Sequence, residues 1–381
     1  MSEAALAHSQ AVTRHLSQAI AQAGGWLPFH DWMHEVLYAP GLGYYTAGLR
    51  KLARRSTHGQ AVPDADFVTA PELSATFGQT LAQQIFQVMR NEGLKRIIEF
   101  GPGTGQLACD ILDELAHLGL HDVQYELIEV SDDLKAQQAE TFQKHGYTAH
   151  WLDTIPEQFE GVVVANEVLD AMPVHLLGWA DDETVFQRGV DWDGQQFIWS
   201  DRPAPQALAE QLASCMPPLP GYVTEVCPQA QAWIRTLASH LHKGLILLID
   251  YGFTQSEYYH PQRAQGTLMC HIQHRAHSDP FFAPGLQDLT AHVDFTAMAD
   301  AAFESGLDVL GFTSQARFLL NAGLTDLLLR GEINQNPAQM RKVEMLISEA
   351  EMGELFKVLA LGRDIDPLLI GFVRGDRRHL L

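Results

Sequence analysis

Apolar and polar positions follow two different rhythms along this chain. Residues 4 to 23 carry apolar side chains at helical spacing, and Gly24 and Gly25 stop the run. "PFHDWMHEVLYAPGLGYYTAG" predicts a short helix halted at Pro40-Gly41 and then an aromatic loop. Another helix is expected from near Pro71, because proline suits a first helical turn. From residue 95 the rhythm changes. "KRIIEF", "VQYELIEV", "YTAHWL", "GVVVAN" and "GLILLIDYG" read as short apolar strands. "GQLACDILDELAHLG" and "SDDLKAQQAETFQKHG" read as helices between them, the second capped by Ser131 or Asp132. Strands alternating with helices predict an α/β fold, a mostly parallel sheet with helices on both faces. Two stretches interrupt it: residues 175–225, with a hairpin signal at Asp193-Gly194, and residues 314–363, mostly helical. Both read as insertions on one sheet domain (76–381), behind an N-terminal helical and loop region (1–75) that covers the cleft.

Charge and cysteine content narrow the function classes. Among 381 residues, 25 are Lys or Arg and 47 are Asp or Glu, a net charge of -22. Such a surface repels nucleic-acid phosphate and anionic lipid, so neither is expected as a partner. The dense basic cluster Arg50, Lys51, Arg54 and Arg55 reads as a solvated loop, with a docking patch for an acidic partner as the alternative. Cys109, Cys215, Cys227 and Cys270 form no CxxC pair, which fits a reducing compartment. The first twenty residues resemble neither a secretory signal nor an Arg-rich transit peptide, and no apolar run reaches the roughly 18 residues of a membrane span. A soluble cytoplasmic protein is expected.

"IIEFGPGTGQLACDIL" carries the first chemistry. Gly101, Gly103 and Gly105 form GxGxG after an apolar strand, with Glu99 two residues upstream. A dinucleotide turn would place its third glycine where this chain has Gln106, which speaks against an oxidoreductase. The arrangement resembles the first motif of class I (Rossmann-like) S-adenosylmethionine-dependent methyltransferases. By that analogy Glu99 receives the donor's ammonium group. Glu129, closing the second strand, can accept from both ribose hydroxyls, and Asp153 from the adenine amino group. Glu126 lies too early in its strand for the ribose role.

The fourth strand runs into "NEVLDAMP". Asn166, Glu167 and Asp170 follow it and are the catalytic candidates; Glu167 and Asp170 are three apart and would share one helical face. Carboxylates there can hold a guanidinium, localise its charge and take a proton. First-turn acids also simply cap helices, and that alternative stays open. By resemblance to such methyltransferases, Thr69, Pro71, Glu72 and Ser74 in "DFVTAPELS" are expected at the cofactor or substrate mouth; a loop before a capped helix is equally a structural entry. His271, His274 and His277 are spaced by three, but on a strand or loop they build no metal site, and none is expected. His271 and His292 are instead expected near the substrate cleft, as are Asp288, Thr290 and Asp294, with helix capping the alternative for the two aspartates.

"FHDWMHEVLYAPGLGYYTAG", "DFVTAPELSATFG", "IIEFGPGTGQL", "EVSDDLKAQQ", "ANEVLDAMPVH", "LIDYG", "GTLMCHIQHRAHSDPFFAPGLQDLTAHVDF" and "MGELFKVLALG" occur in this order. Together they resemble the MidA family of S-adenosylmethionine-dependent methyltransferases, from about residue 26 to about residue 373. The resemblance implies a class I methyltransferase fold, S-adenosyl-L-methionine as cofactor and protein arginine as substrate. The family's mitochondrial members are complex I assembly factors that methylate an arginine of a complex I subunit, so a respiratory complex subunit is one implied partner. The competing reading is a non-catalytic assembly or scaffold factor on a methyltransferase fold.

Overall fold

The computed structural model describes residues 2–48, 69–273, 275–330 and 336–381. The basic cluster at Arg50 to Arg55, residues 66 to 68 and His274 lie outside them. The chain divides into two compact units. One comprises Met1–Arg50, Leu169–Gln231 and Phe253–Asp294; the other comprises Lys51–Val168, Ala232–Gly252 and Phe295–Leu381 and is called the sheet unit below.

The sheet unit is built on six strands, in the order Gln124–Ile128, Arg96–Phe100, Phe159–Asn166, Leu241–Phe253, Phe356–Arg363 and Asp308–Ser314. The first four run parallel. Phe356–Arg363 is antiparallel to both its neighbours. Parallel strands covered on both faces must be apolar throughout, and Val162 to Val164 and Leu245 to Leu248 are fully buried. Alternate positions Ile97, Val162, Val164, Leu245, Leu247 and Ile249 pack with Phe77, Leu81 and Ile85 of helix Ala75–Glu92 and with Phe142 of helix Asp132–Lys144. Ser131 caps the latter helix by accepting from the Leu134 N–H at 3.4 Å.

Two expectations change here. "YTAHWL" forms only a single bridge, Leu127 to Trp151, held by Leu127 N to His150 O and Leu152 N to Leu127 O, both 2.8 Å. Thr148 and His150 are exposed there, and a short, polar sheet edge resists further pairing. The stretch 314–363 is not a helical insertion: after four helices it returns as the strand Phe356–Arg363 inside the sheet. "FKVLALG" is short and apolar throughout, a pattern that fits buried helix and buried strand equally.

The other unit gathers three separate chain segments, a division unlike the expected boundary at residue 75. Helices Glu3–Gln22 and Phe29–Tyr38 bury Val12, Leu16, Trp32 and Val36 against Leu176, Val190, Phe197, Val223, Cys270 and Leu289. Their apolar partners therefore come from 175–225 and 269–291. The hairpin at Asp193-Gly194 forms: Val185–Trp192 pairs antiparallel with Phe197–Pro203, Trp192 opposite Phe197. A separate three-stranded antiparallel sheet orders Arg275–His277, Met269–Ile272 and Asp288–Thr290.

Candidate functional site

The glycine turn leaves the strand Arg96–Phe100 with Gly101, Gly103 and Gly105 at φ of 57°, 54° and 81°. A side chain is strained at each. Gly105 is also closely packed, since a Cβ there would sit 3.3 Å from Gln138 Cα and 3.3 Å from the Phe142 ring. The Gly101 N–H donates to Ile128 O at 3.1 Å, tying the turn to the end of the second strand. Gly105 opens helix Gln106–His117. The result is a bare backbone concavity at the carboxyl ends of parallel strands, where open α/β sheets bind ligands.

Gln138, which sequence reasoning missed, locks the turn to its surroundings. Fully buried on helix Asp132–Lys144, it donates to Gly103 O at 2.9 Å and to Glu129 Oε2 at 3.0 Å, and accepts from Trp151 Nε1 at 2.7 Å. Glu129 Oε1 accepts from the Ser131 N–H at 2.8 Å. Burial raises the Glu129 carboxyl, and the Ser131 and Gln138 hydrogen bonds oppose that rise. Glu129 thus stands fixed just past the second strand. Glu126 is taken by an ion pair with Arg96, 3.0 Å from its Nε. Asp153 is exposed, two residues past Trp151, as Glu129 is two past its bridge partner Leu127. Val130, beside Glu129, is 69% exposed and offers an apolar face.

Glu99 lies in the same strand end, 2% exposed, and Tyr125 donates to its Oε2 at 2.8 Å. Burial pushes its carboxyl up to about 8; the Tyr125 hydrogen bond opposes this and the nearby Glu129 charge adds to it. The unfolded chain would release this proton from its ordinary value of 4.5 upward, so the folded state holds more protons between there and about 8. Stability from this group is therefore present at low pH and declines as pH rises through that window. Cation binding runs the other way, since only the ionised carboxylate attracts an ammonium. Affinity for a ligand ammonium should rise as pH approaches about 8 and then level. Glu99→Gln should flatten that slope and cost about tenfold or more at the plateau, a hydrogen bond to a charged group being worth about 1.5–3 kcal/mol. Calorimetric titration across pH checks it; an unchanged slope in the variant would show that Glu99 does not meet the ligand's charge.

"TAPELS" contributes Glu72, buried on helix Ala70–Leu73, whose carboxylate accepts from Thr104 Oγ1 in the glycine turn. Pro71 sits in the first turn of that helix, and Thr69 precedes it without a side-chain cap bond. Ser74 caps the next helix, accepting from Thr76 N at 3.3 Å. Glu72 is thus brought to the turn, while the Ser74 hydroxyl is engaged in capping.

Asn166 ends its strand opposite Ile249, and the Glu167 N–H donates to Ile249 O at 2.9 Å. Asn166 Nδ2 donates to Glu167 Oε1 at 3.1 Å. Asn166 Oδ1 is buried and has no partner among the described residues. Glu167 has φ 54°, the left-handed region that costs an L side chain about 1–2 kcal/mol. The expected helical face shared by Glu167 and Asp170 is absent: bends and a turn follow the strand, with Glu167 itself in left-handed backbone. Asp170 falls in the other unit, buried, its carbonyl accepting from Ala291 N at 2.9 Å. In that unit His271 lies opposite Asp288 in register. His292 stacks on Phe253 with ring centroids 5.1 Å apart, and its N–H donates to Thr267 Oγ1 at 3.0 Å.

Comparisons agree on the class. A family profile described as "Putative S-adenosyl-L-methionine-dependent methyltransferase" matches residues 80–313. A superfamily member from Burkholderia thailandensis, solved with S-adenosyl-homocysteine bound, is 50% identical, covers 100% of this chain and 99% of its own, and superposes with TM-score 0.93. The mitochondrial protein arginine methyltransferase NDUFAF7 of Rattus norvegicus is 28% identical over 93% of this chain and 85% of its own length. The Drosophila melanogaster homologue is 29% identical over 88% and 82%.

Proposed function

The chain belongs to this family of S-adenosyl-L-methionine-dependent methyltransferases, and we propose that the group it methylates is an arginine side chain of a protein. The cofactor is S-adenosyl-L-methionine. The residues present suit it: a closely packed glycine turn, a fixed carboxylate at Glu129 for paired hydroxyls, a buried carboxyl at Glu99 for an ammonium, and an apolar face at Val130. Bound there, it supplies an electrophilic methyl group on a sulfonium.

The chain's own work is done at the end of the strand Phe159–Asn166. A guanidinium stays protonated and is a poor nucleophile. It needs an acceptor that orients one nitrogen and a carboxylate that localises the charge and takes the proton. Asn166 Oδ1, buried and without a partner among the described residues, is such an acceptor, and this is the observation that carries the reading. Glu167, held beside it in a strained conformation, is the carboxylate. The arginine methyltransferase relatives, at 28–29% identity, support the same substrate class.

The test is transfer of labelled methyl groups to a lysate from cells lacking this protein, respiratory complex subunits being the first candidates. Acid hydrolysis of the labelled band should return the label as methylarginine. Label in methyllysine or in a base-labile ester would sink the arginine assignment and leave the enzyme class standing.

A further inference from the structure

We propose that Tyr125 is a positioning residue for the methyl donor, its hydroxyl holding the Glu99 carboxylate ready for the donor's ammonium group. This rests on the placement of that ammonium at Glu99. Strand register sets up the pair. In the parallel pairing of Arg96–Phe100 with Gln124–Ile128, Tyr125 lies opposite Ile97 and Glu99 opposite Leu127. Side chains alternate along a strand, so Tyr125 and Glu99 share one face on a diagonal, roughly 8 Å apart at the backbone. A long side chain is needed to bridge that gap. Tyr125 does so from within the core, 4% exposed and clustered with Ile97, Leu127 and Cys109. Its hydroxyl donates to Glu99 Oε2 at 2.8 Å. Glu126, between Tyr125 and Leu127, takes the other face and is paired with Arg96.

The balance at Glu99 gives this bond its weight. Burial and the Glu129 charge favour the neutral carboxyl, and the Tyr125 hydrogen bond is what opposes them. A neutral donor suits the task. Lysine or arginine in its place would cancel the carboxylate's charge and compete with the ligand's ammonium for it. A hydroxyl donates to one lone pair and leaves the negative charge for the ligand. Burial, then the Glu99 charge and hydrogen bond and the Cys109 thiol, hold the Tyr125 hydroxyl well above its ordinary value of 10.0. It therefore remains a donor throughout the range in which Glu99 ionises.

The test is calorimetric titration of the full chain with two ligands across pH. S-adenosyl-homocysteine carries the ammonium; 5′-methylthioadenosine is a related nucleoside thioether without the amino-acid portion. Tyr125→Phe keeps the ring and removes the hydroxyl. Its affinity for S-adenosyl-homocysteine should fall about tenfold at about pH 7 and about twofold at about pH 9, because losing a hydrogen bond to a charged group moves the Glu99 titration up by about one unit. The ligand's own ammonium titrates alike for both proteins and cancels in the ratio. Affinity for 5′-methylthioadenosine should stay within about twofold, which also shows that the variant is folded. In a Glu99→Gln background, Tyr125→Phe should add less than about a further twofold.

Equal loss for both ligands would make Tyr125 a packing residue and overturn the proposal, as would a pH dependence that the variant leaves in place. The two readings fail separately. Loss in Glu99→Gln without loss in Tyr125→Phe keeps the ammonium at Glu99 and removes Tyr125 alone. Unchanged S-adenosyl-homocysteine affinity in Glu99→Gln removes the ammonium from Glu99, and the role of Tyr125 with it.

Discussion

Glu167→Gly should give a protein that melts within a few degrees of its parent yet has lost about 10²- to 10⁴-fold in methyl transfer, the usual contribution of a positioned proton acceptor. The two halves of this expectation have separate causes. At φ 54° the native residue pays for left-handed backbone, and glycine does not. Against that gain stand glycine's greater freedom in the unfolded chain, about 0.5–1 kcal/mol, and the lost hydrogen bond from Asn166 Nδ2, about 0.5–1.5 kcal/mol, so the terms nearly cancel. The loss of transfer follows because the Glu167 carboxylate beside Asn166 is removed. Glu167→Gln completes the comparison: it keeps the strain and the shape, and should also lose transfer without gaining stability. Melting curves and initial rates on the same preparations decide it. A glycine variant within about threefold of parental rate would remove Glu167 from the chemistry and make its strain a matter of chain direction alone.

Gln138→Leu should be the most damaging substitution near the cofactor that touches no cofactor. Leucine has nearly the right volume, but it strips a donor from Gly103 O, a donor from Glu129 Oε2 and an acceptor from Trp151 Nε1. Each group left unsatisfied in the interior costs about 1–3 kcal/mol; the three are coupled, so a total of about 3 kcal/mol is expected rather than their sum. Donor affinity should fall about tenfold with it, since Glu129 loses one of the two bonds that hold it. Urea unfolding and titration with S-adenosyl-homocysteine measure the two effects. Unchanged affinity in a destabilised variant would mean that Ser131 alone suffices to fix Glu129.

The two residues differ in how visible they are along the chain. Glu99, the three glycines and Glu129 announce themselves because their job is local: a turn needs its glycines next to each other, and the acids sit where strands end. Gln138 lies in "DDLKAQQAETFQK", a polar helix in which nothing distinguishes it from its exposed neighbours. Only the packing of that helix on the glycine turn makes it wholly buried. Glu72 is visible in its motif, but its bond to Thr104, 32 positions away, is not. Asp170 shows the opposite error: proximity in sequence suggested one helical face with Glu167, and the chain instead turns and enters the other unit. The parallel strands were readable from continuous apolar runs, whereas Phe356–Arg363 was hidden because a run of that kind has no period to read.

The place of that strand has a consequence for how the protein is made. Phe356–Arg363 pairs with Leu241–Phe253 on one side and Asp308–Ser314 on the other. On a ribosome the Leu241–Phe253 strand emerges first, and the hundred-odd residues up to Phe356 are added before its neighbour exists. At about 5–20 residues per second, that leaves a long apolar edge open for roughly 5–20 s. Asp308–Ser314, synthesised meanwhile, waits for the same partner. The nascent protein thus carries one open sheet edge and one strand without its partner late into translation, the state in which neighbouring chains cross-pair and holding chaperones are engaged.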